Sequence, residues 1–81
     1  MRRRKIPPNE LVDEAFRAGL ALDNSSAAAG NAFDAVSLMH RDRLYDALDR
    51  ARAAAADAIH GSVWVPLRDV LEELLRPAVS P

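Results

Sequence analysis

Few side chains in this sequence could catalyse a reaction, and their spacing does not suit one. The two histidines, His40 and His60, are 20 positions apart, and the chain contains no cysteine. Protein zinc sites draw on closely spaced His and Cys ligands, so we predict no metal site and no cofactor. The serines have no catalytic motif around them, and the adjacent Glu72 and Glu73 are expected to face solvent on a helix. The sequence therefore predicts a protein that is not an enzyme and has no small-molecule substrate.

A short basic arm is the simplest candidate for binding phosphate. Residues 1–5 hold four of the eleven basic side chains and no acid, whereas residues 6–81 hold seven bases against twelve acids, a balance of −5. Clustered guanidinium and ammonium groups bind the nucleic-acid backbone. No aromatic residue interrupts the arm, so base stacking is not predicted. The candidate nucleic-acid-binding residues are Arg2, Arg3, Arg4 and Lys5.

Length and composition indicate one small folded domain. The chain has 81 residues, of which 49% are apolar and 28% charged, with a formal net charge of −1. No apolar run approaches the roughly 18 residues of a membrane span, and polar residues follow the basic start where a signal peptide would be apolar. We therefore expect a cytoplasmic protein without a membrane segment. Its predicted parts are a basic arm (1–8), a helical domain (9–76) and a tail (77–81).

Two helices are predicted from apolar residues at helical spacing. The first covers about residues 9–22, where Asn9 suits the N-cap position. The last covers about residues 66–76, where Pro66 suits the first helical position. The stripe of this last helix is the clearest in the sequence and consists of Leu67, Val70, Leu71, Leu74 and Leu75.

A long central helix is predicted between them, over about residues 31–60. Asp23–Ser26 has the composition of a turn, Asn31 offers a cap, and the next strong helix breaker is Gly61. Such a helix would span on the order of 43 Å, whereas a compact chain of this length has a radius of gyration of about 12 Å. The helix must therefore break or pack against a second copy or a partner.

We expect the second copy, so the predicted fold class is all-α: three helices (about 9–22, 31–60 and 66–76) with a long central helix, in a dimeric helical bundle. The sixteen alanines support helix but bury little apolar area, and self-association would add to the core. The apolar face of the central helix supplies the candidate self-association residues Phe33, Val36, His40, Leu44 and Leu48.

The junction before the last helix is expected to be extended. Val65 precedes a proline, which disfavours the helical conformation, and residues 63–65 are too few for an independent strand. They could lie along another protein, or Trp64 could simply cover the end of the core.

Residues 58–74 (AIHGSVWVPLRDVLEEL) resemble the C-terminal part of many bacterial antitoxins of toxin–antitoxin pairs. In those proteins a helix ends at I-x-G, and a short valine-rich extended piece leads into a helix of the pattern V-P-x-x-[ED]-V-[LM]-x-x-L. The resemblance implies a segment that wraps a toxin. The extended piece would lie along the toxin and the helix would fill a groove, with contacts from Val63, Trp64, Val65, Leu67, Val70, Leu71 and Leu74.

Three functions agree with these features. The first is a small non-enzymatic helical protein that regulates or inhibits a protein partner, as an antitoxin would. The second is a dimeric nucleic-acid-binding regulator that uses the basic arm. The third is a self-assembling structural subunit of a bacterial or phage complex.

Overall fold

A computed structural model describes residues 8–76, and within this range the chain forms four α-helices and no strand. The helices are α1 (Pro8–Leu22), α2 (Ala27–His40), α3 (Leu44–Ala55) and α4 (Gly61–Leu75). The prediction of an all-α fold is confirmed, and α1 lies where the sequence places it. The prediction of three helices is wrong, because the expected central helix is two helices.

The break between α2 and α3 falls at Asp42, which has a φ of 60°. The N–H of Asp42 donates to the carbonyl of Met39 (3.1 Å), and the N–H of Arg43 donates to the carbonyl of Leu38 (2.9 Å). These two bonds form a Schellman motif, the turn that usually ends a helix at a glycine. This position is usually a glycine, and an aspartate there is not recognised in the sequence as a helix breaker. The expectation of a dimer rested on an unbroken helix and on the small core of an alanine-rich chain, and the fold-back at Asp42 removes the first of these reasons.

The remaining helix ends also differ from the predictions. Helix α2 begins at Ala27 instead of Asn31, because the side-chain oxygen of Ser26 accepts a hydrogen bond from the N–H of Ala29 (3.1 Å) and caps the helix. Helix α3 ends at Ala55. It is followed by a turn in which Oδ1 of Asp57 accepts the N–H of His60 (2.7 Å).

Helix α4 begins five residues before the predicted Pro66, so residues 63–65 are helical and the expected extended junction is wrong. Gly61, which the sequence predicts as the breaker after the central helix, is instead the first residue of α4. A side chain at this position would collide with the backbone carbonyl of Ala55, so the turn between α3 and α4 requires a glycine for its close approach.

The helices form a ring in which each packs against its neighbours in the chain and α1 closes the ring against α4. Helices α2 and α4 also touch, whereas α1 and α3 lie on opposite sides. The most extensive helix pair is α2–α3. Both helices bury small side chains at matching spacing, which we call the alanine seam: Ala28, Ala32 and Ala35 on α2, and Ala47, Ala51 and Ala54 on α3. The largest fully buried side chains are Trp64, Leu67, Leu71 and Val12.

Candidate functional site

The surface feature best suited to binding is an apolar groove between α1 and α2, which we call the aromatic groove. It has a volume of about 460 Å³ and contains no charged side chain. Its apolar walls come from both helices, and the polar side chains of the 23–26 turn close one end. The lining residues are Phe16, Leu20, Asn24, Ser25, Ser26, Ala29, Gly30 and Phe33.

Helical spacing on α1 and the turn after it bring the apolar side chains of this groove together. Phe16 and Leu20 are four residues apart on α1, so they lie on one face, and the turn at 23–26 folds α2 back beside them. The ring centroids of Phe16 and Phe33 are 6.3 Å apart with the ring planes tilted by 50°. Phe16 packs against the core, whereas Phe33 is 60% exposed. An exposed aromatic side chain beside an apolar groove is typical of a binding surface.

A buried polar network supports the groove from below. The indole N–H of Trp64 donates to Oδ2 of Asp23 (2.9 Å), and both residues are buried. The same carboxylate accepts hydrogen bonds from the hydroxyl and the backbone N–H of Ser26. The Trp64 ring also lies 6.0 Å from the Phe16 ring, centroid to centroid. The walls of the groove therefore rest on the Trp64 side chain of α4.

These hydrogen bonds determine the charge of Asp23. The hydroxyl of Ser26 is the main cause of a pKa lowered to about 2, with further lowering from the Trp64 indole and the Ser26 backbone and an opposing effect of desolvation. The pKa of Asp57 is also lowered, because its carboxylate accepts the backbone N–H groups of His60 and Ile59. Asp23 is therefore an ionised, structurally bonded carboxylate and not a proton donor near neutral pH.

The far end of the α1–α2 pair is held by a second polar contact. Nε2 of His40 lies 3.1 Å from Oδ1 of Asp13, and both side chains are partly exposed. Among residues 8–76, no serine is hydrogen-bonded to this pair. In residues 8–76, no group of three His, Asp or Glu side chains is placed to hold a metal ion.

The residues predicted to contact a partner along 63–74 lie on α4 and face mainly inward. Trp64, Leu67 and Leu71 have no exposed surface and belong to the core. The other four, which are Val63, Val65, Val70 and Leu74, are half-buried. The segment therefore cannot present all seven side chains to a partner while this fold is intact. In this fold the indole and the leucines complete the core, and partner contact by the segment stays a prediction.

The residues predicted for self-association do not form one surface, because the break at Asp42 separates them. Val36 and Leu48 are buried in the chain's own core, and Leu44 is half-buried against it. Phe33 and His40 remain exposed. Only Phe33 takes part in the aromatic groove, and its partners there, Phe16 and Leu20, were missed. Their stripe on α1 looks like any core stripe, so no sequence signal pairs them with Phe33.

The basic residues Arg2, Arg3, Arg4 and Lys5 lie outside the described residues. Within residues 8–76, seven arginines face twelve acidic side chains. Most of these arginines pair with acids, as Arg52 does with Glu72 of α4 at 3.2 Å. In the same range no helix combines the length and the apolar character that crossing a membrane requires.

Comparison with known proteins gives no relative on which to base a function. No protein-family model matches the chain, and no curated protein or solved structure shows significant similarity to it.

Proposed function

We propose that this chain is a small non-enzymatic binding protein that regulates or inhibits a protein partner, and that an apolar segment of the partner docks in the aromatic groove. The observation that carries the proposal is Phe33, a large aromatic side chain left 60% exposed at the edge of an apolar groove. Aromatic side chains in such positions dominate the energetics of protein interfaces.

Gly30 supports close approach of a partner at this groove. It lies inside α2, where a glycine costs about 0.5–1 kcal/mol relative to alanine, yet a Cβ built there would have no atom within 4 Å. The fold itself therefore gives no reason for a glycine. A partner backbone that packs directly on α2 beside Phe33 would give one.

The absence of charge in the groove favours a protein segment over a nucleic acid. A phosphate backbone requires cations, and none of the lining side chains is charged. An antitoxin that neutralises its toxin by direct contact is one form of the proposed protein. The resemblance of residues 58–74 to antitoxins suggests that form, although the piece expected to be extended is helical in this fold. Because the core holds Trp64, Leu67 and Leu71, we place the partner contact of the folded domain at the groove.

The test compares three variants of the tagged chain in pull-downs from native lysate, with and without nuclease. Phe33→Glu places a charge at the groove, and Tyr45→Glu is the matched control, since Tyr45 is an aromatic residue on α3 that is even more exposed (74%). Phe33→Glu should weaken partner binding by about tenfold or more, and Tyr45→Glu should leave it unchanged. Gly30→Ala should weaken binding while making the domain more stable, so that unfolding cannot explain the loss.

The outcomes separate the proposal from its alternatives. The proposal is supported if a partner protein is recovered after nuclease treatment with Tyr45→Glu but not with Phe33→Glu. Equal recovery with both variants contradicts docking in the groove. Recovery that disappears with nuclease would favour nucleic-acid binding by the basic arm, and recovery of the tagged chain alone as an oligomer would favour a structural subunit.

A further inference from the structure

The first turn of α4, residues 61–65, is helical although its residue types disfavour a helix. Gly61 has a low helix propensity, and Val63 and Val65 are β-branched. Val65 also precedes Pro66, a context that disfavours the helical conformation. The N-cap residue, His60, makes no side-chain hydrogen bond to the helix. Local preference alone would make this segment extended.

Pro66 divides α4 into two unequal parts. It lies inside the helix and has no N–H, so the carbonyl of Ser62 loses its usual partner four residues later. The same proline is well suited to the first position of a helix, and the strong apolar stripe begins directly after it at Leu67. A helix that starts at Pro66 is therefore a ready alternative to the one that starts at Gly61.

Tertiary contacts of one side chain oppose this local preference. Trp64 is fully buried, its indole N–H is bonded to Asp23, and its ring packs on Phe16. A Cβ at Gly19 would overlap three carbon atoms of the indole, which shows how closely α1 approaches this ring. Val63 is half-buried against the core and Val65 is half-buried, whereas Trp64 is fully enclosed.

We propose that residues 61–65 act as a conformational latch. While Trp64 occupies its pocket, the turn is helical. When the indole leaves the pocket, residues 61–65 unwind to an extended segment that hinges at Pro66, and the rest of α4 stays folded. Opening exposes Val63, Trp64 and Val65 together and leaves the alanine seam of α2 and α3 intact. The proposal concerns the chain alone and does not depend on a partner.

Hydrogen exchange of the Trp64 indole N–H tests the latch directly, and the chain has a single tryptophan. Trp64 and Ala51 are both fully buried, so exchange by global unfolding alone would protect the indole N–H and the Ala51 amide equally. The latch predicts a protection factor for the indole at least about tenfold lower than that of Ala51, since local opening precedes global unfolding. Acrylamide quenching of the fluorescence reports the same opening.

Two variants shift the latch in opposite directions. Asp23→Ala removes the indole acceptor and should accelerate indole exchange without accelerating exchange at Ala51 to the same extent. Pro66→Ala restores the missing N–H at an exposed position and should bring the indole protection towards that of Ala51. Equal protection of the two groups in the wild type, or no gain with Pro66→Ala, overturns the proposal. These two measurements decide it even where Asp23→Ala does not fold.

Discussion

Asp23 and Trp64, 41 positions apart, are joined by a hydrogen bond of 2.9 Å between two buried side chains. Asp23 follows the end of α1, and its own N–H donates to the carbonyl of Gly19 (2.8 Å). The same carboxylate holds Ser26, the cap of α2. One residue thus connects the end of α1 through its backbone N–H, and the start of α2 and the first turn of α4 through its carboxylate.

The stability of the domain should depend on pH through Asp23. Its pKa is lowered from 3.8 to about 2 in the folded chain, so folding favours the ionised carboxylate. The stability that it contributes is present above pH 3.8 and is lost as the pH falls through about 2. Urea unfolding midpoints across this range should decrease more steeply for the wild type than for Asp23→Asn. Asp49→Asn, an exposed substitution on α3, should keep the steeper wild-type decrease, and identical curves for all three proteins would contradict the assignment.

The two glycines inside helices should respond oppositely to alanine. Gly19→Ala places a methyl group against the Trp64 ring, and overpacking of this kind costs about 1–3 kcal/mol. Gly30→Ala meets no neighbouring atom and should raise the free energy of unfolding by about 0.5–1 kcal/mol. Chemical denaturation of both variants checks the signs. Stabilisation by Gly19→Ala would show that the indole is not packed as described.

The cap of α2 should contribute measurably to stability. Ser26→Ala removes the acceptor for the Ala29 N–H and should lower the free energy of unfolding by about 1 kcal/mol. Ser25→Ala is the matched control, because the neighbouring Ser25 is exposed and makes no hydrogen bond in the structure. Equal unfolding midpoints of the two variants would show that the Ser26 side chain does not cap α2.

The turn at Asp42 should prefer glycine. Its φ of 60° is in the left-handed region, which costs an L-residue roughly 1–2 kcal/mol that glycine avoids. Asp42→Gly should therefore be more stable than Asp42→Ala by about 1 kcal/mol, as measured by denaturant unfolding. Equal stability of these two variants would be inconsistent with a Schellman turn at this position.

Local sequence was informative about this fold only where local and tertiary preferences agree. The bounds of α1 and the buried stripe of Leu67 and Leu71 were predicted because helix spacing and burial coincide there. The break at Asp42 was not predicted, because an aspartate in the left-handed region leaves no distinctive sequence pattern. The first turn of α4 was not predicted either, because burial of Trp64 overrides the preference of its neighbours for an extended conformation.

The aromatic groove could not be predicted from the sequence for a related reason. Phe33 was selected from the sequence as a contact residue, but for an interface along an unbroken helix. Its actual neighbours, Phe16 and Leu20, are brought to it by the turn at 23–26. A stripe on one helix does not say which of its residues will border the next helix and which will be covered.

The alanine seam between α2 and α3 has a consequence for the temperature dependence of folding. Methyl side chains bury little apolar surface, and exposure of apolar surface is what raises the heat capacity on unfolding. Half of the buried apolar residues in the described part of the chain are alanine. The heat-capacity change per residue should thus fall below the usual ~12–15 cal/mol/K. The stability curve of this domain is then shallow, and its folded state is favoured by a nearly constant margin over a wide range of temperature.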